Sequence, residues 1–295
     1  ANFSDEYWDR VFKDFLSEHE KGRTPNPDIL CNREIKFKSF LDYALKIGAD
    51  LIATGHYADT ISINGTTYLA RAIDNTKDQT YFLHEVSSEE FSKTIFPLSN
   101  MKKDDVRKLA MNLGLVNAEK KDSVGICFVG ERNLKDFLGR FINFKSGIIK
   151  DNDNNVIGQH NGALLYTEGQ RQGLNIGGVK GRPELPWYVY KKDIPNNTIY
   201  VCQGVDNELL MSSRVTIDSL HKINKDELKL PFDCYVQVRH LQKPIAAQLN
   251  YDNSNYFINF KKPVRAAAPG QSAVIYKDNI CIGGGIISKS FSSTK

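Results

Sequence analysis

GRTPNPDILCN, residues 22–32, decides how the first part of the chain folds. Pro25 and Pro27 exclude a helix interior and a central strand, because proline lacks an N–H group and fixes its own φ. Pro27 also pushes Asn26 toward an extended backbone. The stretch is therefore a stiff turn, and Asp28 is the predicted N-cap of the helix that follows. The apolar positions of that helix are Ile35, Phe37, Phe40, Leu41, Ala44 and Leu45.

On this prediction Cys31 lies in the first turn of the helix. Free N–H groups and the positive end of the helix dipole favour an anion there, which lowers the pKa of a thiol and gives the nucleophilic thiolate. Arg23 and Arg33 could add to the effect. The alternative is a small buried cysteine beside a proline turn, and the local sequence alone favours it, because free cysteine is among the most buried residue types.

Size and composition indicate a soluble globular protein of two or three domains. The chain has 295 residues, of which 41% are hydrophobic and 25% are charged. No apolar run is long enough for a membrane helix, and the polar first ten residues do not resemble a signal peptide. We therefore expect a cytoplasmic location, no membrane partner and a monomer. The net charge of +4 and the pI of about 8.6 give only weak support for a nucleic-acid partner.

The cysteine pattern argues against a structural metal or a disulfide framework. There are five cysteines and no C-x-x-C pair, so we expect no zinc site, no thioredoxin motif and no bound metal of that kind. An odd number at wide spacing is not typical of a secreted disulfide scaffold. Three of the five lie on predicted strands and are expected to be inert: Cys202, Cys234 and Cys281.

Periodicity predicts several elements before residue 120. An amphipathic helix runs from Ser4, its expected cap, to about Lys21, and its aromatic stripe is predicted to be core. Residues 60–69 form a hairpin around an Asn-Gly turn. A helix begins at Lys77, and another covers residues 101–113. The polar residues at the start of the Lys77 helix either form a solvated first turn or contact the phosphates and base edges of a nucleic acid.

A buried parallel strand is predicted from Asp50 to His56. In open α/β sheets ligands bind beyond the carboxyl ends of the strands, so Gly55 could let a ligand approach the backbone closely. The alternative is a plain glycine at the end of a strand, followed by a surface histidine. The residues alone do not decide between the two.

The stretch from Lys120 to Arg132 contains the second conspicuous cysteine, Cys127, in an apolar run flanked by glycines. Basic neighbours favour a thiolate, although a cysteine in a core strand is the commoner case.

After about residue 140 the composition shifts: Arg171 lies in a polar segment interrupted by glycines and is available for phosphate. From about residue 207 onward, regular short strands predict a small barrel. Within it, residues 283–285 are predicted to be a close-packed glycine strand.

Six motifs together resemble the bacterial tRNA-specific 2-thiouridylases, which thiolate the wobble uridine of certain tRNAs. They are RTPNPDILCN (23–32), ATGHY (53–57), KDQ (77–79), DSVGICF (122–128), GQR (169–171) and PGQSA (269–273). The resemblance covers essentially the whole chain. It implies an α/β fold: the remnant of an adenine-nucleotide α-hydrolase-like (PP-loop) doubly wound domain over residues 1–135, a small mixed α+β middle domain over 136–205, which would bind tRNA, and a C-terminal β-barrel over 206–295.

The resemblance also implies residue roles. Cys127 matches the family's persulfide carrier, Cys31 its partner nucleophile, and Asp28 a candidate proton shuttle. Gly55 matches a glycine that contacts the nucleotide. The positions that match tRNA contacts are Asn26, Pro27, Asp28, His56, Lys77, Asp78, Gln79, Arg239, His240 and Gln271. His240 departs from the tyrosine expected at its position.

The implied reaction uses ATP, with Mg²⁺, to adenylate the C2 oxygen of uridine, and a persulfide supplied by a carrier protein or cysteine desulfurase. The family's Ser-Gly-Gly-x-Asp-Ser phosphate loop does not occur in this sequence, which predicts weak ATP binding by this polypeptide. The alternative is therefore a non-catalytic fragment that binds tRNA and accepts sulfur. A third possibility, another nucleotide-activating ligase of this fold, is disfavoured because amide-forming ligases need no such pair of thiols.

Overall fold

The computed structural model describes residues 1–120, Cys127 and residues 134–292. Cys127 itself lies in a turn, and the rest of the motif around it, residues 121–126 and 128–133, lies outside the described residues. The chain forms an α/β part, a four-stranded middle sheet and a closed β-barrel. This is the order of folds predicted from the sequence.

The first helical run confirms the predicted amphipathic helix. It consists of α1 (Ser4–Tyr7), a π-helical segment (Trp8–Phe12) and α2 (Lys13–Glu20). Its aromatic stripe is buried apart from Trp8, which is 43% exposed. Ser4 is not the cap, because the helix already begins with it and Phe3 occupies the cap position. Gly22 ends the run with φ +78°, a conformation that glycine adopts without strain.

The second helical run begins earlier in the chain than predicted, because its N-cap is Asn26 and not Asp28. It comprises α3 (Pro27–Leu30), a π-helical segment (Cys31–Ser39) and α4 (Phe40–Lys46). The N-cap is Asn26, whose side chain accepts a hydrogen bond from the Asp28 N–H at 3.1 Å. The prediction of Asp28 as N-cap was wrong, because Pro27 takes the first helical position that proline favours. Cys31 therefore lies beyond the first turn, away from the free N–H groups.

The rest of the α/β part is small. A two-stranded parallel sheet pairs β1 (Ile52–Ala53) with β4 (Thr94–Ile95), which confirms a short parallel strand before Gly55. The hairpin β2 (Ala58–Ile63) and β3 (Thr66–Arg71) turns at Asn64 and Gly65 as predicted. Two helices follow: α5 (Ser88–Phe91) and α6 (Lys103–Asn112).

The helix predicted from Lys77 is reduced to one 3₁₀ turn, Thr80–Leu83. The backbone before it is held in a loop because Gln79 binds the Tyr57 backbone twice. The Gln79 N–H donates to the Tyr57 carbonyl at 2.8 Å, and the Tyr57 N–H donates to Gln79 Oε1 at 2.9 Å. This pairing brings Lys77 and Gln79 next to the segment that follows β1.

The middle part contains α7 (Leu134–Leu138) and one mixed sheet in the order β6-β5-β8-β7. Its strands are β5 (Gly147–Lys150), β6 (Val156–His160), β7 (Trp187–Asp193) and β8 (Thr198–Gln203). The last two form an antiparallel hairpin, with Asn197 at φ +45°. Ile149, Val189 and Val201 are fully buried in its core.

The barrel consists of six antiparallel strands that close through the pairing of β14 with β15. Its strands are β9 (Met211–Ile217), β11 (Phe232–Gln237), β12 (Ile245–Asp252), β13 (Asn255–Arg265), β14 (Ser272–Lys277) and β15 (Ile280–Ser292), with the short β10 (His221–Lys222) paired to β15. Gly283 and Gly285 lie in β15, where an added Cβ would come within 2.0 Å of the His221 carbonyl and 2.1 Å of the Ser219 carbonyl. The glycine run is thus a close-packed strand, as predicted.

The barrel and the α/β part share one core. β3 pairs with β15 through Leu69 and Cys281, so the hairpin extends the barrel sheet. Leu69, Tyr81 and Phe37 from the first part are buried in the same cluster as Val274 and Tyr276 from the barrel. This shared core fixes the barrel against the helix that carries Cys31.

Candidate active site

One cavity of about 590 Å³ lies between the second helical run, the segment after β1 and the barrel loop at His240. It brings together seven residues predicted from the sequence: Asp28, Gly55, His56, Lys77, Gln79, Cys127 and His240. The other described residues that line it are Asn32, Lys36, Tyr57, Phe82, Lys103 and Leu241. Residues far apart in the chain therefore converge on one enclosed space.

The two cysteines of the site share a hydrogen bond, in which the Cys31 thiol donates to Cys127. Cys31 is 0% exposed, whereas Cys127 is partly exposed at the cavity. The shared hydrogen bond, followed by burial, raises the pKa of Cys31 and keeps it a thiol. The same hydrogen bond lowers the pKa of Cys127. Cys127 is therefore the more readily ionised thiol of the pair, and Cys31 is its proton-bearing partner.

Of the two alternatives for Cys31, the structure supports the buried cysteine and not the thiolate. The helix dipole does not act on Cys31 because the helix starts at Pro27, more than one turn earlier. The two arginines that were expected to help are engaged elsewhere. Arg23 pairs with Glu18 and Asp218, and Arg33 pairs with Glu34 and Glu85.

Asp28 is the carboxylate of the site. The Cys127 thiol, when protonated, donates to Asp28 Oδ1 at 3.5 Å, and Asp28 also lines the cavity. Its negative charge opposes the ionisation of Cys127. A carboxylate in contact with a titrating thiol can take up or return its proton, which is the geometry that the predicted proton shuttle requires.

Sequence reasoning missed Asn32 and Lys36, which line the cavity beside Asp28. The three residues are spaced by four, so they share one face of the helix. That spacing was the signal that could have found them. The Lys36 ammonium lowers the pKa of Cys127 and also that of His56, which burial brings to about 3. Lys36 is thus the positive charge that the prediction had sought in Arg23 and Arg33.

His56 is a neutral imidazole at physiological pH because burial and then Lys36 disfavour its charged form. Its Nδ1 lies 3.0 Å from Thr54 Oγ1, and its ring packs against Phe37. Gly55 is exposed at the cavity, and no atom lies within 4 Å of the place where a Cβ would be. Each can meet a ligand in the cavity, but His56 offers a hydrogen bond rather than a charge.

Asp78 is one of the predicted contact residues that the structure does not bring into the cavity. Its carboxylate is buried, accepts a hydrogen bond from Thr80 Oγ1 at 2.9 Å and faces Arg71 at 3.6 Å. Burial raises its pKa. Its carbonyl is 3.2 Å from His240 Nε2, and the His240 ring lies 4.4 Å from Phe82 between centroids. Asp78 therefore supports the histidine that lines the cavity.

Comparison with known proteins shows which family the chain belongs to. Three family models match the chain: "tRNA methyl transferase HUP domain" over residues 1–131, "tRNA methyl transferase PRC-barrel domain" over 135–203 and "Aminomethyltransferase beta-barrel domain" over 212–287. The tRNA-specific 2-thiouridylase MnmA of Legionella pneumophila (strain Lens) is 50% identical over 97% of this chain and 80% of its own length. The enzyme of the same name from Enterococcus faecalis is 46% identical over 100% of this chain and 79% of its own.

This chain belongs to the tRNA-specific 2-thiouridylase family. The resemblance seen in the six motifs is confirmed, as is the fold class, because the matched domains are a HUP domain, a PRC-barrel and a β-barrel. The individual site residues and the domain boundaries at 135 and 205 stay predictions. The structure adds to them the contact between the two sulfurs.

A second groove of this 2-thiouridylase-family chain lies where its three parts meet. It has a volume of about 400 Å³ and is lined by Thr24, Thr167, Gln170, Arg171, Gln172, Arg239 and Gln271. We call it the junction groove. Gln271 Nε2 donates to the Thr24 carbonyl at 2.6 Å, and Arg239 Nη2 donates to the Glu168 carbonyl at 3.1 Å. The predicted tRNA contacts Arg239 and Gln271 therefore lie together, but apart from the sulfurs.

Among the described residues, no group of three or more His, Cys, Asp and Glu side chains could hold a metal ion. In the same part of the chain, no helix has both the length and the apolarity needed to cross a membrane.

Proposed function

We propose that this chain transfers sulfur to C2 of the wobble uridine of tRNA in an ATP-dependent reaction. The observation that carries the proposal is the hydrogen bond between Cys31 and Cys127 at the wall of an enclosed cavity. Two thiols in contact can exchange sulfur and close a disulfide. The enzymes named tRNA-specific 2-thiouridylase among the relatives support the substrate.

ATP supplies the activation, since adenylation turns the C2 oxygen of uridine into a leaving group. The described lining of the cavity fits a phosphorylated substrate, because Lys36, Lys77 and Lys103 outnumber its one carboxylate, Asp28. Gly55 follows strand β1 and leaves the backbone open to a nucleotide. The persulfide is expected to come from a carrier protein or cysteine desulfurase.

Cys127 carries the incoming sulfur as a persulfide, which its lowered pKa favours. The terminal sulfur forms a bond to C2 while the bond from C2 to the activated oxygen breaks. Cys31 then attacks the Cys127 sulfur and loses its proton to Asp28, whose carboxylate contacts Cys127 and whose charge acts on Cys31. The bond between Cys127 and the transferred sulfur breaks, and its electron pair stays on the thiocarbonyl.

The electrons balance in this last step. The two cysteines are oxidised to a Cys31–Cys127 disulfide, and the transferred sulfur is reduced by the same two electrons. A thiol reductant then restores both thiols for another turnover. The target base must leave its stack to reach an enclosed cavity.

Methyl transfer, which the family descriptions mention, is less well supported by the site. In direct methyl transfer the bond from the donor to the methyl group breaks as the bond to the acceptor forms, and this displacement needs no exchange between two thiols. The non-catalytic alternative, a chain that binds tRNA and accepts sulfur on Cys127, uses the same residues and differs only in the final transfer.

The test supplies the full chain with tRNA, ATP and a persulfide donor, and detects 2-thiouridine by its retardation in a mercury-containing gel. We expect thiolation that depends on ATP. Persulfide on Cys127 with no 2-thiouridine would favour the non-catalytic alternative. Neither persulfide nor 2-thiouridine would contradict both.

A further inference from the structure

Asn32 carries a buried oxygen that the fold leaves without a partner. The residue is only 1% exposed, and its Nδ2 donates to the Phe82 carbonyl at 2.9 Å. Its Oδ1 is closed to water and has no hydrogen-bond partner among the described residues. Leaving such a buried acceptor unpaired destabilises the fold. An unpaired buried acceptor at the wall of a cavity is therefore a candidate to bind a ligand.

The direction of this oxygen is fixed by its surroundings. The Phe82 carbonyl can only accept, so the amide nitrogen must face it and the oxygen must face the other way. Asn32 follows Cys31 in the chain and lies on the helix face of Asp28 and Lys36, at the wall of the cavity. The site therefore holds a fixed acceptor beside the sulfur pair.

The groups around Asn32 do not use this acceptor. Lys36 is one helical turn away and on the same face, yet it makes no hydrogen bond to Asn32 Oδ1. Phe82 and His240 line the same cavity and pack against each other. Because Oδ1 is closed to water in the free protein, a base reaches it only after a local shift of this wall.

We propose that Asn32 Oδ1 accepts a hydrogen bond from N3–H of the target uracil and so selects uracil over cytosine. The inference rests on the proposed function. In uracil, N3 carries a proton and adjoins C2, the atom that Cys127 must reach. In cytosine, N3 carries a lone pair instead and would face the lone pairs of Asn32. A fixed acceptor next to the sulfur pair therefore binds one pyrimidine and rejects the other.

The test of this hydrogen bond measures binding and not turnover, because activation of C2 itself requires N3 to lose its proton. The full chain is titrated without ATP with anticodon stem–loops that carry uridine, cytidine or 3-methyluridine at the target position. We expect the wild type to bind uridine at least about tenfold more tightly than either analogue. Asn32→Ala should lose most of that preference by weakening the uridine complex.

Two further variants separate recognition from folding. Asn32→Asp keeps an acceptor at the same place and should retain the preference for uridine. Asn224→Ala is the matched control, since Asn224 is also buried and donates its Nδ2 to a backbone carbonyl, that of Thr67, at 2.9 Å. It should leave the ratio of uridine to cytidine affinity unchanged, whatever its effect on the melting temperature.

The outcomes separate this inference from the proposed function. No uridine preference in the wild type, or an unchanged preference in Asn32→Ala, overturns the role of Asn32 while 2-thiouridine formation by the wild type still stands. If the preference is present and Asn32→Ala loses it, the role holds even if the wild type forms no 2-thiouridine, and only the proposed transfer then fails.

Discussion

The cavity of about 590 Å³ at Cys31 and Cys127, which we call the sulfur cavity, and the junction groove both contain polar side chains, but they use them differently. In the sulfur cavity, Asn32 Oδ1 has no described partner and the cysteines bind mainly each other. In the junction groove, the side chains of Gln271 and Arg239 are tied to backbone carbonyls of the other two parts of the chain. The sulfur cavity leaves one buried acceptor, Asn32 Oδ1, for a ligand, whereas the junction groove uses Gln271 and Arg239 to hold the parts together.

This difference separates two kinds of predicted residue. At Cys127, which is partly exposed at the sulfur cavity, a conservative change should remove chemistry with little loss of structure. In the junction groove, Gln271 and Arg239 are predicted tRNA contacts and also hold the parts of the chain together, so a change there alters tRNA binding and stability at the same time. Arg171 is the exception in the groove, because it is exposed and makes no described hydrogen bond.

The largest effect is expected from the two cysteines. Cys127→Ser and Cys31→Ser should each lower the rate of 2-thiouridine formation by more than about a thousandfold, because each removes one of the two sulfurs that the exchange needs. The measurement is 2-thiouridine formed per enzyme, with circular dichroism to check the fold. Cys234→Ala, a change in a barrel strand outside the sulfur cavity, should leave the rate close to that of the wild type. Full thiolation by either serine variant would remove that cysteine from the mechanism.

Sequence patterns predicted the features that local chemistry determines. The alternation of apolar and polar residues predicted the barrel strands, and helical periodicity predicted the two helical runs that precede β1. The N-cap was misplaced because Asn26 and Asp28 are both good caps, and only the preference of Pro27 for the first helical position decides between them. The two alternatives for Cys31, a thiolate or a buried cysteine, could not be decided from the sequence for a different reason. Which of two thiols ionises depends on burial and on the other sulfur, and both are set by tertiary packing.

The junction groove should respond most strongly to Gly270→Ala. Gly270 has φ +90°, and an added Cβ would lie 2.6 Å from the Thr24 backbone nitrogen. Strain and the clash together should lower the free energy of unfolding by about 2 to 3 kcal/mol. Gly204→Ala is the matched control, since Gly204 has φ +88° and open space around it. Equal losses in urea melts of the two variants would show that the contact with Thr24 adds nothing.

The ionisation of Cys127 offers a smaller and more specific test. Its pKa is lowered first by the hydrogen bond from Cys31 and further by Lys36, while Asp28 opposes both. Removing either favourable group raises the pKa, so the thiolate forms only at higher pH. Alkylation of Cys127 by iodoacetamide should therefore have its midpoint at higher pH in Cys31→Ala, and by a smaller margin in Lys36→Met. A midpoint that stays in place in both variants would contradict the assignment of the thiolate.

The smallest effect is expected at Arg171, the one residue that would show whether the junction groove binds tRNA at all. Arg171→Ala removes a charge without breaking a described contact, so affinity should fall about two- to fivefold. The slope of log affinity against log salt should fall by about one. Lys261→Ala removes the same charge from a separate cleft of the barrel, where Lys261 is 61% exposed and only loosely paired with Asp233 at 3.8 Å. If both variants change the slope equally, the groove contributes only to net charge and its side chains serve the junction alone.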